Sequence, residues 1–270
     1  MDGATEKEPL LLRSDRDGVA VLTLNAPGTI NALSEDMISA LTDTLDAIAA
    51  DRGVKAVILR SGGRHFCAGH NLKEMTLRRQ DPDGGFGYFQ ELFARCSEMM
   101  LRVVRLPQPV IAEVRGIATA AGCQLVASCD LAVASGDATF ATSGVNIGLF
   151  CSTPMVALSR NVPRKAAMEM LLLGEFLPAA RVAELGLVNR VVPLAELETT
   201  VMDMARAIAA KSPAAIRIGK RAFYEQAEMP LEEAYAFAGR TMAENMMARD
   251  AEAGIGAFTR KEHMPEWTGD

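Results

Sequence analysis

The sequence predicts an α/β protein with a layered core, followed by a region built of helices alone. Over the first two thirds of the chain, short apolar runs alternate with patterns typical of amphipathic helices, which favours strand–helix–strand units. From Leu194 onward only helical patterns occur. We therefore predict an α/β core with an N-terminal tail in residues 1–193 and a helical region in residues 194–270.

The composition is that of a globular protein with enough apolar residues for a substantial core. Of the 270 residues, 49% are hydrophobic and 23% are charged. The net charge of −6 argues against nucleic acid or an anionic membrane as the main partner. No apolar run reaches the length that a bilayer requires. We expect neither a nucleic acid nor a membrane as a partner.

The cysteines predict buried free thiols rather than disulfides or a metal site. Their number is odd, none has C-x-x-C spacing, and each has apolar or small neighbours. Free thiols persist in reducing compartments. Residues 1–9 are polar and acidic, so we expect a loose tail and no signal peptide. Together these features predict a cytoplasmic protein without a bound metal.

The N-terminal part is predicted to form a hairpin, a helix and a strand. Leu10–Arg13 and Val19–Leu24 are predicted strands, joined at an Asp-Gly step that favours a tight turn. Ser34 is a suitable N-cap, and apolar residues at helical spacing predict a helix over Ser34–Asp51. The apolar run Val54–Arg60 is the next predicted strand.

The middle of the chain continues this alternation. Pro109–Val114 and Cys129–Ser135 are predicted strands, and a helix is predicted from about Phe89 to Arg105. The polar, glycine-containing stretch Thr76–Gly87 is compatible with a plain surface loop or with a mobile flap over a ligand. Ala138–Leu149 is rich in small residues and is predicted to be irregular.

The remaining predicted elements are helices, which share apolar residues at helical spacing. They are Ser152–Asn161, Arg164–Leu173, Leu194–Lys211, Pro213–Gln226, Leu231–Met247 and Asp250–Lys261.

Two glycine-rich turns follow predicted strands and precede helix starts. Ser61–Glu74 follows one strand, and Arg115–Asp130 begins directly after another. Such turns expose backbone N–H groups at a helix N-terminus, and small side chains let a ligand approach them. Two turns of this kind can supply one N–H each to a single carbonyl oxygen. The alternative is that glycine and alanine only permit tight packing of helix on sheet.

Both turns resemble signatures of one family. Phe66–Glu74 resembles the F-x-A-G-x-D-[LI]-K-E signature of the crotonase (enoyl-CoA hydratase/isomerase) superfamily, and Ala120–Leu125 is similar to its G-G-G-C-E-L signature. The likeness runs from Gly18 to about Trp267. The resemblance implies a crotonase-like fold, an acyl-CoA thioester as partner, and a homotrimer or dimer of trimers formed through the C-terminal helices. It implies no cofactor beyond the coenzyme A of the substrate.

The resemblance also implies a set of site residues. The N–H groups of His70 and Ala121 would hold the thioester oxygen in an oxyanion hole. Asn71 stands where the family has aspartate, so a loop-fixing hydrogen bond is expected from it at most. The matched positions expected to contact substrate are Ala68, His70, Asn71, Leu72, Ala121, Gly122 and Ser143.

Both glutamates that hydratases of the family use are absent at the matched positions. Gln124 occupies the first position and Gly144 the second. Neither residue can take up or release a proton near neutral pH, so hydration by the two-glutamate route is not expected. The resemblance nevertheless implies a lyase of the enoyl-CoA hydratase/isomerase kind that stabilises a thioester enolate, involved in fatty acid metabolism. A subgroup that Gly69–Glu74 and Phe150–Pro154 resemble also lacks these glutamates.

Other functions stay open at this stage. One is a non-catalytic acyl-CoA-binding or regulatory protein, and another is a different reaction of a CoA thioester. A serine peptidase of the Clp type shares the fold, but no Ser/His/Asp set occurs in the required context.

Further side chains have a functional and a structural interpretation. His70 is either a base or a ligand-contact or packing residue, and Cys123 is either a nucleophile or an inert buried thiol. Asp130 is expected to anchor the turn after its helix. Four cations are either bound to CoA phosphates or merely solvated: Lys73, Arg260, Lys261 and His263. Ala26 and Thr29 stand where many members of the family carry basic residues, so one contact that the resemblance implies with CoA is not expected.

Overall fold

The computed structural model describes residues 8–270 and contains two sheets within that range. The predicted tail at residues 1–9 therefore lies outside the described residues except for its last two. The strands are β1 (Leu11–Arg16), β2 (Val19–Leu24), β3 (Ala56–Ser61), β4 (Val110–Val114), β5 (Ile117–Thr119), β6 (Leu131–Ser135), β7 (Thr139–Ala141), β8 (Leu177–Pro178) and β9 (Arg190–Val192).

Helices surround these sheets and make up the C-terminal part. They are α1 (Glu35–Ala50), α2 (Leu72–Arg78), α3 (Phe86–Arg105), α4 (Ala121–Ser128), α5 (Pro154–Asn161), α6 (Arg164–Leu173), α7 (Ala179–Glu184), α8 (Leu194–Ala209), α9 (Pro213–Gln226), α10 (Leu231–Met246) and α11 (Arg249–Arg260). Short 3₁₀ helices cover Pro27–Thr29 and Ser143–Ile147. Across residues 8–270, none of the helices is both long and apolar enough to cross a bilayer.

The larger sheet has the strand order β1-β2-β3-β4-β6-β9 and carries the predicted alternation. Its first pair is the predicted antiparallel hairpin, and Asp17 and Gly18 turn it with φ angles of 54° and 75°. The remaining pairs are parallel, as strand–helix–strand connections require. The five predicted strands, β1, β2, β3, β4 and β6, therefore all lie in this sheet, whereas its last strand, β9, was not predicted.

The two faces of this sheet bury different helices. In β2, Ala20, Leu22 and Leu24 belong to the large core beneath α1, α3 and α4, while Val19 and Val21 point to the other face. That other face is covered by apolar residues of α8 spaced four apart, Leu197, Val201, Ala205 and Ala209. The boundary at residue 193 stays a prediction, and α8 packs directly on the sheet.

The smaller sheet was not predicted. In it β7 pairs parallel with β5 and antiparallel with β8. Ala138–Leu149 was predicted to be irregular, but it contains β7 and a 3₁₀ helix. Strands of two or three residues are too short to show a period-2 pattern.

Within the polar stretch Thr76–Gly87, residues 79–85 form a mostly exposed loop, as one of the two interpretations predicted, while both ends of the stretch are helical. The stretch contributes the end of α2 and the beginning of α3, which starts at Phe86 rather than Phe89. The Asp83 carboxylate explains this start, since it accepts hydrogen bonds from Gly85 N at 2.9 Å and Gly87 N at 2.8 Å. These bonds lower the pKa of Asp83.

A buried ion pair ties α9 to the sheet. Lys220 Nζ donates to Asp130 Oδ2 at 2.6 Å and to the carbonyl oxygens of Val103 and Gln108. The same carboxylate accepts from Val110 N at 2.7 Å, so Asp130 anchors this turn as predicted.

The C-terminal tail folds back onto the helices. The buried carboxylate of Asp250 accepts hydrogen bonds from Ser212 Oγ, Thr268 N, Thr268 Oγ1 and Gly269 N. Trp267 Nε1 donates to Ala210 O at 2.9 Å, just beyond the end of α8. The tail is thereby fixed to three helices, α8, α9 and α11.

Candidate active site

The two glycine-rich turns meet at Gly69. A Cβ built on Gly69 would lie 3.0 Å from Ala121 N and 2.9 Å from Ala120 Cβ, so only glycine allows this approach. Its φ of 88° also favours glycine. Residue 70 and residue 121 are thereby brought to the same place, although they come from different turns.

Residues before α1 hold the first turn in position. Leu33 N donates to Gly69 O at 2.8 Å, and Ala68 N donates to Ile30 O at 3.0 Å. The fully buried Asn31 side chain donates to Phe66 O at 3.0 Å. These bonds hold the backbone of residues 66–69 in place. Because His70 follows directly, they also fix the direction of its N–H.

The second turn is held by β7 and by an unusual backbone conformation. Ala120 has a φ of 50° and a ψ of −122°, a region that non-glycine residues rarely adopt. Its N–H donates to Ala141 O at 3.0 Å. Gly122 packs so closely that an added Cβ would overlap the Cys67 carbonyl. This geometry turns the first N–H groups of α4 toward the first turn.

Two backbone N–H groups near the contact of the two turns have no hydrogen-bond acceptor within the described residues. Among the hydrogen bonds of residues 8–270, neither His70 N nor Ala121 N donates to a protein acceptor. The N–H of Ala121 is one of the donors that every helix leaves unpaired in its first turn. The N–H groups of His70 and Ala121 together form a pair of fixed donors, called the donor pair below, that suits an oxygen atom with negative charge.

The two positions at which the family has its glutamates lie on α4 and on the 3₁₀ helix after β7. Gln124 lies one turn after Ala121 on α4, is 5% exposed, and its Oε1 has no hydrogen-bond partner in the described chain. Gly144 lies in the 3₁₀ helix after β7. A Cβ added there would overlap the Leu149 carbonyl oxygen and lie 2.9 Å from Cys151 Sγ. The backbone therefore has no room for a side chain at residue 144.

Both ring nitrogens of His70 are shielded from solvent, although the residue as a whole is only half-buried. Its ring packs edge-on against Phe93 with centroids 5.4 Å apart, and neither ring nitrogen has a hydrogen-bond partner within the described residues. Burial lowers the pKa of His70, and the nearby Leu33 backbone only partly offsets this. The imidazole is therefore neutral at physiological pH.

Asn71 forms the loop-fixing hydrogen bonds expected of it. Its Oδ1 accepts from Lys73 N at 3.1 Å and caps α2, and its Nδ2 donates to Glu74 Oε1 at 2.9 Å. Sequence reasoning missed the next contact, in which Glu74 Oε2 accepts from Glu35 N at 3.2 Å at the start of α1. Glu35 in turn accepts from Tyr88 OH at 3.0 Å. An aspartate at residue 71 would place two carboxylates side by side.

The other predicted contact residues are only partly brought together. Ala68 and Gly122 lie within the two meeting turns, and Ser143 Oγ shares a hydrogen bond of 2.8 Å with Thr119 Oγ1. Leu72 is 49% exposed on α2 and lies at the surface instead.

All five cysteines are buried free thiols, as predicted. Burial raises the pKa of Cys123 to about 12, so this thiol stays protonated near neutral pH. The interpretation of Cys123 as an inert thiol is thereby supported over that of a nucleophile.

The cations proposed for CoA phosphates lie at two places, with Lys73 on α2 and the other three, Arg260, Lys261 and His263, at the end of α11. Arg260 pairs with Glu262 at 2.9 Å, and Lys261 lines an open groove together with Phe258 and Met264. A second cavity is lined by Glu35, Glu74, Leu77, Arg78 and Asp81. Neither of these two cavities includes the donor pair.

Comparison with known proteins identifies the family. The enoyl-CoA hydratase/isomerase family matches residues 14–270. The mitochondrial enoyl-CoA hydratase domain-containing protein 3 of Mus musculus is 43% identical over 98% of this chain and 86% of that protein. The crystal structure of the human protein of that name has a TM-score of 0.90 at 43% identity, over 95% of this chain and 99% of the other. The predicted subgroup resemblance is confirmed.

A crystal structure of an enoyl-CoA hydratase from Mycobacterium smegmatis is also similar. Its TM-score is 0.92 at 56% identity, over 96% of this chain and 99% of that one. These similarities confirm the predicted crotonase-like fold.

The prediction of a cytoplasmic protein is contradicted by the relatives. Five of them, from Mus musculus, Rattus norvegicus, Homo sapiens, Xenopus laevis and Danio rerio, are named as mitochondrial proteins. The prediction depended partly on the free cysteines, which persist in any reducing compartment and so do not single out the cytoplasm.

The matched length, the sequence identity to the relatives and the similarity of the fold all indicate the same family. This chain belongs to the enoyl-CoA hydratase/isomerase family, the crotonase family.

Proposed function

We propose that this protein binds acyl-CoA thioesters and stabilises the enolate of the thioester in an oxyanion hole formed by the N–H groups of His70 and Ala121. The observation that supports the proposal most directly is the close approach of Gly69 to Ala121 N, since among residues 8–270 neither His70 N nor Ala121 N donates to a protein acceptor. The family supports a thioester as the ligand.

The donors would act without any side-chain chemistry. When a base from solution takes up the proton of the α-carbon, the electron pair of that C–H bond moves into the enolate and negative charge grows on the thioester oxygen. Fixed N–H groups stabilise that charge more than they stabilise the neutral carbonyl. One such donor contributes roughly 3–4 kcal/mol to the transition state. Because the donors belong to the backbone, only their positions matter.

Hydration through two glutamates is not part of the proposal. Gln124 has an amide where a base would be needed, and Gly144 has no space for a side chain. General acid–base groups of this kind accelerate reactions by about 10²–10⁴-fold. We infer that any hydration by this protein is slower by at least the lower of those factors.

A pair of assays on one preparation tests the proposal. Calorimetry should show binding of short acyl-CoA thioesters, and hydration of crotonyl-CoA should be at least about a hundredfold slower than with a two-glutamate enzyme. A control variant, Gln124→Glu, should not raise hydration much, since Gly144 still lacks its partner carboxylate. Brisk hydration by the native chain would overturn the inference about the glutamates, and no thioester binding would overturn the proposal itself.

A non-catalytic acyl-CoA-binding role is the second candidate. The uncharged side chains of His70 and Gln124 favour it, because among residues 8–270 neither the His70 ring nor Gln124 Oε1 is hydrogen-bonded to an ionised group. Exchange of α-protons with deuterium in a bound saturated acyl-CoA separates the candidates. Exchange above the solution rate indicates enolate stabilisation, while binding without exchange indicates a binding protein.

The proposed functional unit is a homo-oligomer, a trimer or a dimer of trimers. An apolar stripe on α10 supports this, because its members lie on one face of the helix and each is more than half exposed. They are Leu231, Tyr235, Met242 and Met246. Stripes of this size on a soluble protein usually mark an interface.

A further inference from the structure

A histidine side chain takes part in the contact that joins the two glycine-rich turns. His65 Nδ1 accepts a hydrogen bond from Ile117 N at 3.2 Å, where β5 begins. Backbone bonds join the same two segments, and the first of them runs from Phe66 N to Ile117 O at 3.0 Å. Further along β5, Thr119 N donates to Cys67 O at 3.0 Å. His65 therefore belongs to the ladder that holds the first turn against β5.

The histidine ring replaces a backbone acceptor in this ladder. In a regular parallel pair, Ile117 N would donate to the carbonyl oxygen of residue 65. That oxygen instead accepts from Asn31 Nδ2 at 3.1 Å. The chain bends at Gly116, whose φ is 58°, and a Cβ there would lie 2.5 Å from His65 Nδ1. The ring therefore fills the space beside the bend and accepts the bond in place of the carbonyl.

This contact lies close to the donor pair along the chain. The strand β5 leads directly to Ala120, whose unusual backbone conformation directs the Ala121 N–H. Because β5 has only three residues, the position of its first residue, Ile117, affects the position of its last one. A displacement of about 1 Å can lower the rate at a catalytic site about a hundredfold. The bond to His65 is thus close enough to affect the donor pair.

A histidine differs from a backbone carbonyl as an acceptor, because it can take up a proton. A neutral imidazole accepts through one nitrogen, whereas an imidazolium has two N–H donors and no acceptor. Protonation at Nδ1 would break the bond from Ile117 N and would place two N–H groups against each other. His65 is half-buried, so protons from solvent can reach its ring.

The charged side chains around this contact come from three segments. Arg64 precedes the histidine on the first turn, and Arg115 lies before the bend with its guanidinium paired to Glu113 at 2.8 Å. Asp137 precedes β7, the strand that pairs with β5. Residues 25–34, which hold the first turn from the other side, carry no charge. A test of protonation must therefore separate the histidine from these four groups.

We propose that His65 is a positioning residue of the donor pair, which holds β5 and thereby the Ala121 N–H in place only while its Nδ1 is unprotonated. The inference rests on the proposed function, because the ring positions the donors of the proposed oxyanion hole. It predicts that binding of the thioester oxygen weakens in acid, although backbone N–H groups themselves do not titrate.

Two ligands that differ only at the thioester oxygen test the inference. They are butyryl-CoA and S-butyl-CoA, a thioether in which a methylene group replaces the carbonyl. The ratio of their dissociation constants gives the preference for the carbonyl, and effects of pH on the shared coenzyme cancel. In the native chain, this preference should fall at least about threefold from about pH 8 to about pH 5.5, a range that spans the ordinary titration of histidine.

Variants at residue 65 assign the change to the ring. His65→Leu has no acceptor, so at about pH 8 its preference should be at least about threefold below the native one, and it should not vary with pH. His65→Asn keeps an acceptor at the same distance from Cγ as Nδ1, but this amide is not protonated in the same range. It should keep the native preference at both pH values. Comparison of His65→Asn with the native chain decides the matter if the leucine variant folds poorly.

Asn189→Ala is the matched control for a loss of stability. Asn189 Oδ1 accepts from Ala132 N at 2.8 Å, so this variant also removes a side-chain acceptor from the N–H of a strand residue. The bond lies at β6 in the larger sheet rather than between the two turns. The preference of this variant, and its fall in acid, should equal those of the native chain.

Amide NMR spectra of the ligand-free protein test the coupling of His65 to the donor pair separately. The protein is labelled with heavy nitrogen at alanine and isoleucine. In the native chain, the resonances of Ile117 and Ala121 should shift with one common pH midpoint. In His65→Asn, both resonances should stay in place over the same range.

The outcomes separate this inference from the proposed function. A native Ala121 resonance that does not move with pH would overturn the inference, as would a carbonyl preference that is present and equal at both pH values. The same fall in His65→Asn as in the native chain would assign the change to another group and would also overturn it. Coupled resonances without any carbonyl preference, or without binding of either ligand, would instead overturn the proposed function and support the coupling of His65 to Ala121.

Discussion

Ala120 combines a φ of 50° with a ψ of −122°, a conformation that costs an L-residue roughly 1–3 kcal/mol. Neighbouring contacts hold it there, because its N–H is bonded to Ala141 and its Cβ packs against Gly69. The strain is located at the residue that directs the Ala121 N–H into the donor pair. We interpret this backbone strain as the free energy that the fold spends to orient the Ala121 N–H.

Relief of this strain is testable. Ala120→Gly should raise the free energy of unfolding by about 1 kcal/mol, since glycine tolerates positive φ but loses more backbone entropy on folding. Urea denaturation measures the change. Ala118→Gly, in the regular strand β5, should instead destabilise. Equal destabilisation by both changes would contradict the presence of strain at Ala120.

The sequence predicts the candidate site only as far as local motifs carry the information. The two turns and the positions of His70 and Ala121 follow from short motifs, and Gly69 explains why those motifs must meet. The contact of Glu74 with the start of α1 was not predictable, because it joins residues 39 positions apart. The unpaired state of Gln124 depends on packing that no pattern reveals.

At the level of the elements, long periodic segments were predicted well and short ones were not. The bounds of α6 and α9 agree with the sequence prediction at both ends. The strands β5, β7 and β8 were missed because their pairing partners, rather than their residues, define them. Only the start of α2 was predicted, because this helix buries no residue and so carries no apolar stripe.

The attachment of α9 to the sheet depends on one buried cation. The Lys220 side chain is only 8% exposed and makes three hydrogen bonds, one of them to Asp130. Burial lowers the pKa of Lys220, while Asp130 opposes this shift. Loss of the lysine would leave the carboxylate without its counter-charge.

Lys220→Met should therefore lower the free energy of unfolding by about 3–5 kcal/mol, the usual cost of breaking a buried pair. Denaturant titration gives the value. The double variant Lys220→Met/Asp130→Asn should recover part of the loss, because it removes the uncompensated charge. A loss below about 0.5 kcal/mol would mean that Lys220 behaves as a surface residue.

At the scale of the whole molecule, the apolar stripe on α10 predicts self-association. Glutamates in place of Tyr235 and Met242 should dissociate the oligomer, because charges would be buried in the interface. Sedimentation velocity reports the change in mass. Arg240→Glu, on the opposite side of α10, should leave the mass unchanged. A native chain that sediments as a monomer would contradict the proposed assembly.

The tail that closes the structure should be sensitive to acid. Burial alone would raise the pKa of Asp250, but hydrogen bonds from Ser212, Thr268 and Gly269 together lower it. The carboxylate therefore stabilises the fold above the unfolded-state pKa of about 3.9, and this contribution disappears as pH falls through the lowered folded-state value.

Trp267 is the single tryptophan and reports on the tail. Its emission should shift to the red as pH falls below about 4, because the released indole becomes exposed to water. Asp250→Asn should show the shifted emission already at neutral pH. Native-like emission in that variant would show that Trp267 is held independently of Asp250.

The crowded backbone at Gly144 also constrains how this protein can evolve. A glutamate codon at that position would not by itself place a carboxylate beside the donor pair, because the Leu149 carbonyl occupies the space of the first side-chain carbon. The backbone of the segment after the 3₁₀ helix would first have to move away from residue 144. That change gives no catalytic benefit until residue 144 is a glutamate. Each order of mutations passes through a disadvantaged intermediate. Selection for crotonyl-CoA hydration from a library randomised only at residues 124 and 144 should therefore yield few or no improved clones.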